Sequence, residues 1–457
     1  MDRDSAKPDV STVPGPEATE WINYHQKHAA KSTYVYGFVW DITKEADGPF
    51  CQDPDDNVLL DFTSHVGANP LGYNNSHLIE EFSKFDLVDP TKIAGQDFYV
   101  STGGLPESAP HGGPSHLMDR LTDISDHYGF DTVFLSNSGA EAVENAIKIC
   151  YDNTSGQYGI TFDGAFHGRT LGTLSLNRSR GHYRKKFPEV PTESVPYCRN
   201  SSCSAATCSC GFFADDPGSQ LRALLEGKYA SLGAEKTAYI IIEPIQGEGG
   251  YYVPSDAFMD EVQELSAEHD IPVVCDEVQA GLGRTGEWFG SDHYNLEPDV
   301  ISLAKPARVG ATIASEEMFP DHTGRLSSTW GAGDMIASMQ GAATIDVIEE
   351  QSLLKNATER GEQMLDLLED STLPNVTEIR GEGLMIGVEF SSTSCRDATV
   401  DEAFSEGLLL LGCGEKTVRL LPPLNVTERE VRLGCQLFAE AVQSADGDSD
   451  SDYMDTT

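Results

Sequence analysis

Short apolar segments alternate with helical patterns through the middle of this 457-residue chain. Helices are predicted over residues 140–150 and 256–269, where apolar residues recur on one side. The predicted strands are residues 132–135, 158–162, 237–242, 271–275 and 300–303. Apolar strands that are separated by helices indicate a mostly parallel sheet with helices on both faces. The sequence therefore predicts an α/β protein.

The pattern changes after about residue 329. Two helices follow, then strands at 383–390 and 418–421, and a last helix over 427–442, which together predict a smaller α+β unit. Residues 443–457 are acidic and are expected to form a disordered tail. The predicted division is an N-terminal arm and part of the small domain at 1–70, a large domain at 71–328, a small C-terminal domain at 329–442, and the tail at 443–457.

Acidic residues dominate the charge of the chain. There are 74 Asp and Glu against 31 Lys and Arg, for a net charge of −43. Such a surface repels nucleic acid and anionic lipid, and neither is an expected partner. Because salt screens repulsion between the acids, we interpret the chain as an enzyme of a halophile. The N-terminal residues lack the apolar segment of a signal peptide, and no apolar run approaches membrane-spanning length, so a cytoplasmic location is expected.

Lys305 and Asp276 each stand at the end of a predicted strand. A lysine can form a Schiff base with pyridoxal phosphate (PLP), and an acid can pair with the pyridinium nitrogen so that the ring accepts electrons. The pair therefore suggests a PLP site. By its residue type alone, Lys305 is more typical of a solvated surface lysine, and the surrounding motifs are what favour the PLP site.

Two further segments have features of a cofactor site. Residues 136–148 contain Ser138, Gly139 and Ala140 at a predicted helix start, where backbone N–H groups can bind phosphate; an ordinary helix cap is the alternative. Residues 164–170 follow a strand, and there Phe166 could stack on a flat ring while Arg169 could bind a carboxylate. Alone, this segment could equally be a loop with a buried aromatic side chain and a surface arginine.

Three charged residues stand out as candidates for substrate contacts. Glu243 and Glu248 lie on a glycine-rich loop after a strand, the position where α/β sites are found. In a chain with 74 acids, a solvated surface carboxylate is the alternative for either residue. Arg419 has apolar neighbours, so either a structural ion pair or substrate binding is possible.

Thr329, in the short segment 329–333, could donate its hydroxyl to phosphate or could belong only to a turn.

Taken together and in this order, these segments resemble the class III aminotransferases, the PLP-dependent ω-aminotransferase group of fold type I. The resemblance runs from about Trp40 to Val442. Within the class, segments 166–177, 186–188 and 328–331 are most similar to lysine 6-aminotransferases, and 4-aminobutyrate and ornithine aminotransferases share most of them. Two departures, Ala304-Lys305-Pro306 and Ala332-Gly333, bear on the choice of substrate more than on PLP binding.

The resemblance implies a role for each candidate residue. Lys305 is the Schiff-base lysine and proton shuttle, and Asp276 pairs with the ring nitrogen. The remaining cofactor contacts implied are Ser138, Gly139 and Ala140 at the phosphate, Phe166 and His167 at the ring, Gln279 at the phenolic oxygen, and Thr329, which the neighbouring subunit of a homodimer contributes to the phosphate.

The resemblance also implies the substrate contacts. Glu248 and Arg419 correspond to a switch pair, in which the arginine binds an α-carboxylate and the glutamate masks it in the other half-reaction. Arg169 corresponds to an arginine that binds a substrate carboxylate, and Glu243 lies near the substrate. The predicted reaction is transamination of an ω-amino or diamino acid, such as lysine, ornithine or 4-aminobutyrate, with 2-oxoglutarate as the acceptor. The alternatives are a PLP-dependent racemase on the same fold and a PLP-binding protein without turnover.

Four cysteines form a separate cluster: Cys198, Cys203, Cys208 and Cys210. Four thiolates this close in sequence could bind zinc or an iron–sulfur centre. The spacing is not that of a standard zinc ribbon, and free thiols or a disulfide remain alternatives. No metal is therefore assigned from the sequence.

Overall fold

The computed structural model describes residues 1–33, 35–84, 95–101, 105, 112–214, 218–226, 230–327 and 332–447. The chain divides into two compact units, one of Met1–Ser76 with Lys355–Thr457 and the other of His77–Leu354.

Helices and strands occur in both units. The helices are α1 (Pro16–His28), α2 (Ser64–Gly67), α3 (Ser76–Ser83), α4 (Gly113–Ser125), α5 (Gly139–Asn153), α6 (Leu171–Leu176), α7 (Gln220–Leu225), α8 (Asp256–His269), α9 (Met335–Glu350), α10 (Leu353–Glu369), α11 (Thr393–Ser405) and α12 (Glu428–Gly447). The strands are β1 (Phe50–Gln52), β2 (Val58–Asp61), β3 (Thr132–Ser136), β4 (Tyr158–Phe162), β5 (Thr192–Val195), β6 (Thr237–Ile242), β7 (Val273–Asp276), β8 (Val300–Leu303), β9 (Gly310–Ala314), β10 (Val376–Glu382), β11 (Met385–Phe390), β12 (Leu408–Leu409), β13 (Leu411–Cys413) and β14 (Thr417–Leu420).

The unit His77–Leu354 contains a seven-stranded sheet in the order β3-β9-β8-β7-β6-β4-β5. The pairs β5/β4, β4/β6, β6/β7 and β7/β8 are parallel, and β9 runs antiparallel to both of its neighbours. Because β3 and β8 are both antiparallel to β9, β3 points the same way as the parallel strands. The predicted α/β fold with a mostly parallel sheet is confirmed, and among the described strands of this sheet β9 opposes the others.

Burial on both faces explains the apolar strands of this sheet. All six residues of β6 are buried, and the last four alternate between two cores. Ile240 and Ile242 contribute to one core together with Phe258 of α8, whereas Tyr239 and Ile241 contribute to the other. Helix α8 begins at the residue expected, because the Ser255 side chain caps it by accepting from the Phe258 backbone N–H.

The second unit, Met1–Ser76 with Lys355–Thr457, contains two small sheets. One is three-stranded in the order β1-β2-β12, and the other is antiparallel in the order β10-β11-β14-β13. Helix α11 packs against α12 in this unit. The helices and sheets confirm the expected α+β unit after the large sheet.

The divisions between units differ in position from those expected at 70/71 and 328/329. Helix α9 belongs to the larger unit, where it packs against α4. Arg120 of α4 forms an ion pair with Asp346 of α9 at 2.8 Å, which joins the two helices. The tail expected from 443 onward is still helical to Gly447, and residues 448–457 lie outside the described residues. Within the described part of the chain, no helix has both the length and the apolar composition needed to cross a bilayer.

Candidate active site

The strands of the large sheet bring the predicted site residues to one edge. Glu243 follows β6 directly, Asp276 ends β7, and Lys305 lies two positions after β8. Phe166 follows β4 by a short turn, and Ser138 follows β3. Because these five strands point the same way, their carboxyl ends meet at one edge of the sheet, which is where α/β folds bind ligands.

Asp276 is held by a buried histidine. His167 Nδ1 lies 2.8 Å from Asp276 Oδ2, and the Val278 backbone N–H donates to Asp276 Oδ1 at 3.1 Å. Asp276 is 4% exposed and His167 is 3% exposed. The His167 backbone N–H in turn donates to Asn177 Oδ1 at 2.7 Å. This pairing provides a buried acid in a fixed orientation, which the acid partner of a pyridine nitrogen requires.

The Lys305 amine contacts Gln279, which was also predicted to lie at the cofactor. Lys305 Nζ donates to Gln279 Oε1 at 2.8 Å, and Gln279 Nε2 donates to the Tyr251 hydroxyl oxygen at 3.0 Å. Lys305 is only partly exposed. The amine is therefore positioned by a side chain from the loop that also carries Asp276.

The start of α5 is shaped for close approach. Ser138 is the N-cap, and its hydroxyl accepts from the Glu141 backbone N–H at 3.2 Å. A Cβ on Gly139 would lie 3.0 Å from the methyl groups of Val278, so a larger residue would be crowded there. A Cβ on Gly168 would lie 2.7 Å from the Ala140 Cβ. The loop after β4 thus packs directly on the first turn of α5, where free N–H groups favour an anion.

Arg169 packs over the aromatic rings of Phe166 and Tyr183. The Arg169 guanidinium lies 5.6 Å from the centre of the Phe166 ring and 5.3 Å from the centre of the Tyr183 ring. The two rings meet edge to face with centres 6.0 Å apart. Stacking on two rings holds the guanidinium in one orientation, which suits it to a forked contact with a carboxylate.

Glu243 is a buried acid in the same group. Its Oε1 accepts from the Phe166 backbone N–H, and its Oε2 accepts from the Gly247 backbone N–H, both at 2.9 Å. Burial raises the pKa of Glu243 to about 7; His167 opposes the shift, and the Asp276 carboxylate adds to it. An acid with such a pKa can change protonation near neutral pH, which is common at functional sites.

Three predicted residues remain: Glu248, Arg419 and Thr329. Glu248 Oε1 lies 3.9 Å from Arg180, a partner that the sequence had not suggested. Arg419 belongs to the other unit, where it is 4% exposed on β14 opposite Gly387 and Leu411. Thr329 lies outside the described residues.

Sequence reasoning missed several residues of this site. Asn177, Tyr183 and Tyr251 orient His167, Arg169 and Gln279 respectively. Glu277 is fully buried and accepts from the Gly290 and Ser291 backbone N–H groups at 2.8 Å. Burial raises the pKa of Glu277 to about 7, although these hydrogen bonds oppose the shift. In the sequence, only the proximity of Glu277 to Asp276 could have singled it out.

The residues present fit PLP. The site combines a lysine amine, a buried carboxylate oriented by histidine, an aromatic side chain and a helix N-terminus whose first residues are glycine and alanine. Lys305 would carry the cofactor, Asp276 would face its ring nitrogen, Phe166 would lie against the ring, and the start of α5 would receive its phosphate. Gly139 and Gly168 provide the close backbone approach that this arrangement needs.

The chain belongs to the class-III aminotransferases, because the family "Aminotransferase class-III" matches residues 35–442. It is therefore an enzyme that transfers amino groups with PLP as cofactor. The prediction of a PLP-dependent aminotransferase is confirmed.

Curated relatives agree with the family. The chain is 32% identical to acetylornithine aminotransferase of Archaeoglobus fulgidus over 90% of this chain and 97% of the relative. It is 31% identical to 4-aminobutyrate aminotransferase of Mycobacterium tuberculosis over 94% and 98%. It is also 30% identical to an alanine/serine racemase of Pyrococcus horikoshii over 95% and 92%.

Among solved structures, lysine aminotransferase of Mycobacterium tuberculosis has a TM-score of 0.78 to this chain. The two are 23% identical, over 94% of this chain and 99% of the other. At this identity the likeness shows the shared fold, and it confirms the expected fold type.

Proposed function

We propose that this aminotransferase removes the ω-amino group of an ω-amino or diamino acid and uses 2-oxoglutarate as the acceptor. The position of Arg169 is the observation that carries this proposal. Its guanidinium is held above the rings of Phe166 and Tyr183, and the Phe166 backbone N–H donates to the buried Glu243. An arginine held there can bind the carboxylate at the far end of a substrate whose amino group reaches Lys305.

The roles of the side chains follow from their positions. PLP, when bound, supplies an electron sink for the carbon that bears the amino group. Lys305 Nζ, positioned by Gln279, is the base that takes the proton from that carbon. Asp276 stays beside His167 and balances positive charge at the ring nitrogen. Glu243 accepts hydrogen bonds from the backbone N–H groups of Phe166 and Gly247, and so holds Phe166 in position.

The two half-reactions need an arginine that binds the α-carboxylate of 2-oxoglutarate in one of them and is paired with a protein carboxylate in the other. We assign Arg419 as the arginine for the α-carboxylate of 2-oxoglutarate and Glu248 as the group that masks it when an ω-amino donor is bound. The burial of Arg419 supports this assignment, because a desolvated arginine binds a carboxylate more strongly than an exposed one. In support of the role of Glu248, its Oε1 lies 3.9 Å from the guanidinium of Arg180.

The remaining expectations stay part of the proposal. The active unit is a homodimer in which Thr329 of one subunit contributes to the phosphate site of the other. The enzyme acts in the cytoplasm of a halophile, an assignment supported by the net charge of −43.

Racemisation is the second candidate function, favoured by the relative from Pyrococcus horikoshii. A racemase returns the proton to the α-carbon and needs no keto-acid acceptor. The two functions therefore differ in whether amino groups leave the substrate.

A donor screen in molar KCl tests the proposal. Lysine, ornithine, 4-aminobutyrate and each enantiomer of alanine are supplied with 2-oxoglutarate, and both glutamate formation and loss of optical activity are measured. Glutamate formed from an ω-amino donor supports the proposal. Racemisation of alanine without glutamate formation would replace it with the second candidate.

Arginine variants locate the carboxylate contacts in the same assay. Arg419→Ala should lower kcat/KM for 2-oxoglutarate at least about thirtyfold, because losing a desolvated contact of this kind costs roughly 2–5 kcal/mol. Arg169→Ala should instead lower kcat/KM for the ω-amino donor. Arg325→Ala, an exposed arginine paired with Asp152, is the control and should leave both unchanged. An intact 2-oxoglutarate half-reaction in Arg419→Ala would remove Arg419 from this role.

A further inference from the structure

The four cysteines of the predicted cluster come together in space. The sulfurs of Cys198, Cys203 and Cys210 all lie within 4.8 Å of one another. Cys203 Sγ lies 3.8 Å from Cys210 Sγ, and Cys208 Sγ lies 3.4 Å from Cys210 Sγ. Cys198 and Cys203 are buried, whereas Cys208 and Cys210 are partly exposed. Their closeness in sequence had raised a metal site as one alternative, although the spacing is not that of a standard zinc ribbon.

The three mutually close sulfurs of Cys198, Cys203 and Cys210 have the spacing of ligands in a mononuclear tetrahedral site, and Cys208, which contacts Cys210, is placed to supply the fourth ligand. With zinc–sulfur bonds of about 2.3 Å, neighbouring sulfurs of a tetrahedron lie about 3.8 Å apart. A disulfide would need a sulfur pair at about 2.05 Å. An iron–sulfur cluster places inorganic sulfide and more than one iron between its thiolates, which would hold the four sulfurs further apart.

The backbone around the cluster supports thiolate ligands. The Phe213 backbone N–H donates to Cys208 Sγ at 3.4 Å. Gly211, directly after Cys210, has a φ of +84°, a left-handed conformation that glycine adopts without strain and that turns the chain back toward Cys208. N–H groups aimed at the sulfurs stabilise their negative charge when they bind a metal.

The segment that carries the cysteines contains little other structure. Between Val195, where β5 ends, and Phe213, the described chain contains only turns, bends and residues without regular secondary structure. Loops longer than about 12–15 residues are uncommon without a stabilising device. Phe212 anchors one end by packing on Phe258 with ring centres 4.5 Å apart, and Cys198 lies 3.6 Å from the Ser255 hydroxyl.

We propose that Cys198, Cys203, Cys208 and Cys210 bind one structural zinc ion. On binding, each thiol loses its proton to solvent and the sulfur forms a bond to the metal, with no change of oxidation state. Zinc then fixes the segment from Cys198 to Cys210.

The site also connects to the active-site loop through the residues that flank Cys198. The Tyr197 hydroxyl donates to the backbone carbonyl oxygens of Glu243 and Pro244 at 3.0 and 3.1 Å. The Arg199 guanidinium lies 5.1 Å from the centre of the Tyr252 ring. Both contacts fall on the loop that begins with Glu243. Zinc at the cluster therefore positions this loop from outside the cofactor site, and the cysteines are positioning residues.

Metal analysis of the full-length holoenzyme tests the proposal. Protein purified without chelators and equilibrated with zinc should retain about one zinc per chain after gel filtration. Cys203→Ser and Cys210→Ser should reduce the retained zinc to background. Cys395→Ser is the matched control, because Cys395 is partly exposed and lies on α11 in the other unit, and it should leave the zinc content unchanged.

Two measurements on the unaltered protein keep the test decisive if a variant does not fold. Cobalt exchanged into the site should give the visible absorption of tetrahedral thiolate coordination. Mass-mapped alkylation should find the four cysteines protected until a strong chelator is added.

Other results would overturn the proposal. One such result is that all four thiols are alkylated freely in the presence of zinc. Another is that only a reductant makes them reactive to alkylation, as expected for a disulfide. The third is that the protein retains iron in preference to zinc. None of these measurements depends on transamination, so failure here leaves the proposed function untouched.

Discussion

Glu243→Gln should change the way in which the stability of this protein depends on pH. The folded protein raises the pKa of Glu243 from 4.5 to about 7 because the carboxyl is buried. In the unfolded chain the group returns to its ordinary value. Between these two pH values the folded state holds more protons than the unfolded state. The contribution of Glu243 to the free energy of unfolding therefore falls as pH rises through this window, and this contribution is constant below and above it.

The size of the effect follows from the pKa difference. Each unit corresponds to about 1.4 kcal/mol, so the shift amounts to about 3 kcal/mol between acidic and slightly alkaline pH. Glutamine cannot ionise and avoids this loss. Its amide does place an NH₂ group against the N–H of Phe166 or Gly247, at a cost of about 1–3 kcal/mol. That cost does not vary with pH. It therefore lowers the free energy of unfolding by the same amount at every pH and leaves its pH dependence unchanged.

The assay is urea unfolding at fixed salt and saturating PLP, at several pH values from 4.5 to 8. The free energy of unfolding of Glu243→Gln, relative to the unaltered protein, should rise by about 3 kcal/mol across this range. Contributions common to both proteins, including that of Glu277, cancel in the difference. Glu287→Gln removes an exposed carboxylate and serves as the control for loss of one negative charge. Parallel curves for Glu243→Gln and the unaltered protein would refute the reasoning.

Three further outcomes are expected. Lys305→Ala should abolish transamination, and borohydride reduction of the unaltered enzyme should label Lys305; a label on another lysine would remove it from its role. Gly168→Ala should destabilise the protein by about 1–3 kcal/mol and weaken PLP binding, because φ at Gly168 is +134° and the new Cβ would meet Ala140. Gly181 has open space around it, so the control Gly181→Ala should change neither the thermal midpoint nor the PLP affinity. The thermal midpoint should rise from dilute buffer to molar KCl at fixed PLP, since salt screens the net charge of −43; a flat or falling midpoint would contradict this explanation.

Local features of the sequence were sufficient for several elements. The observed bounds of α8, β4, β6 and β8 match those predicted. Apolar runs and helix caps depend on neighbouring residues, so they are visible without the fold. Two strands of the large sheet were not predicted. β5 (Thr192–Val195) is polar on an edge, and β9 (Gly310–Ala314) consists mostly of small residues, so neither has a strong apolar pattern.

The sequence by itself determined which residue types stand at the strand ends, and the order of the motifs was sufficient to recognise the family. Only the tertiary structure decided which of these residues meet. His167 and Asp276 are 109 positions apart, and their 2.8 Å contact depends on the parallel pairing of β4, β6 and β7. The grouping of the cysteines depends in the same way on the path of the chain after β5. Local propensity acts over a few residues, whereas contacts between distant residues are set by sheet order and chain reversal, which no single segment encodes.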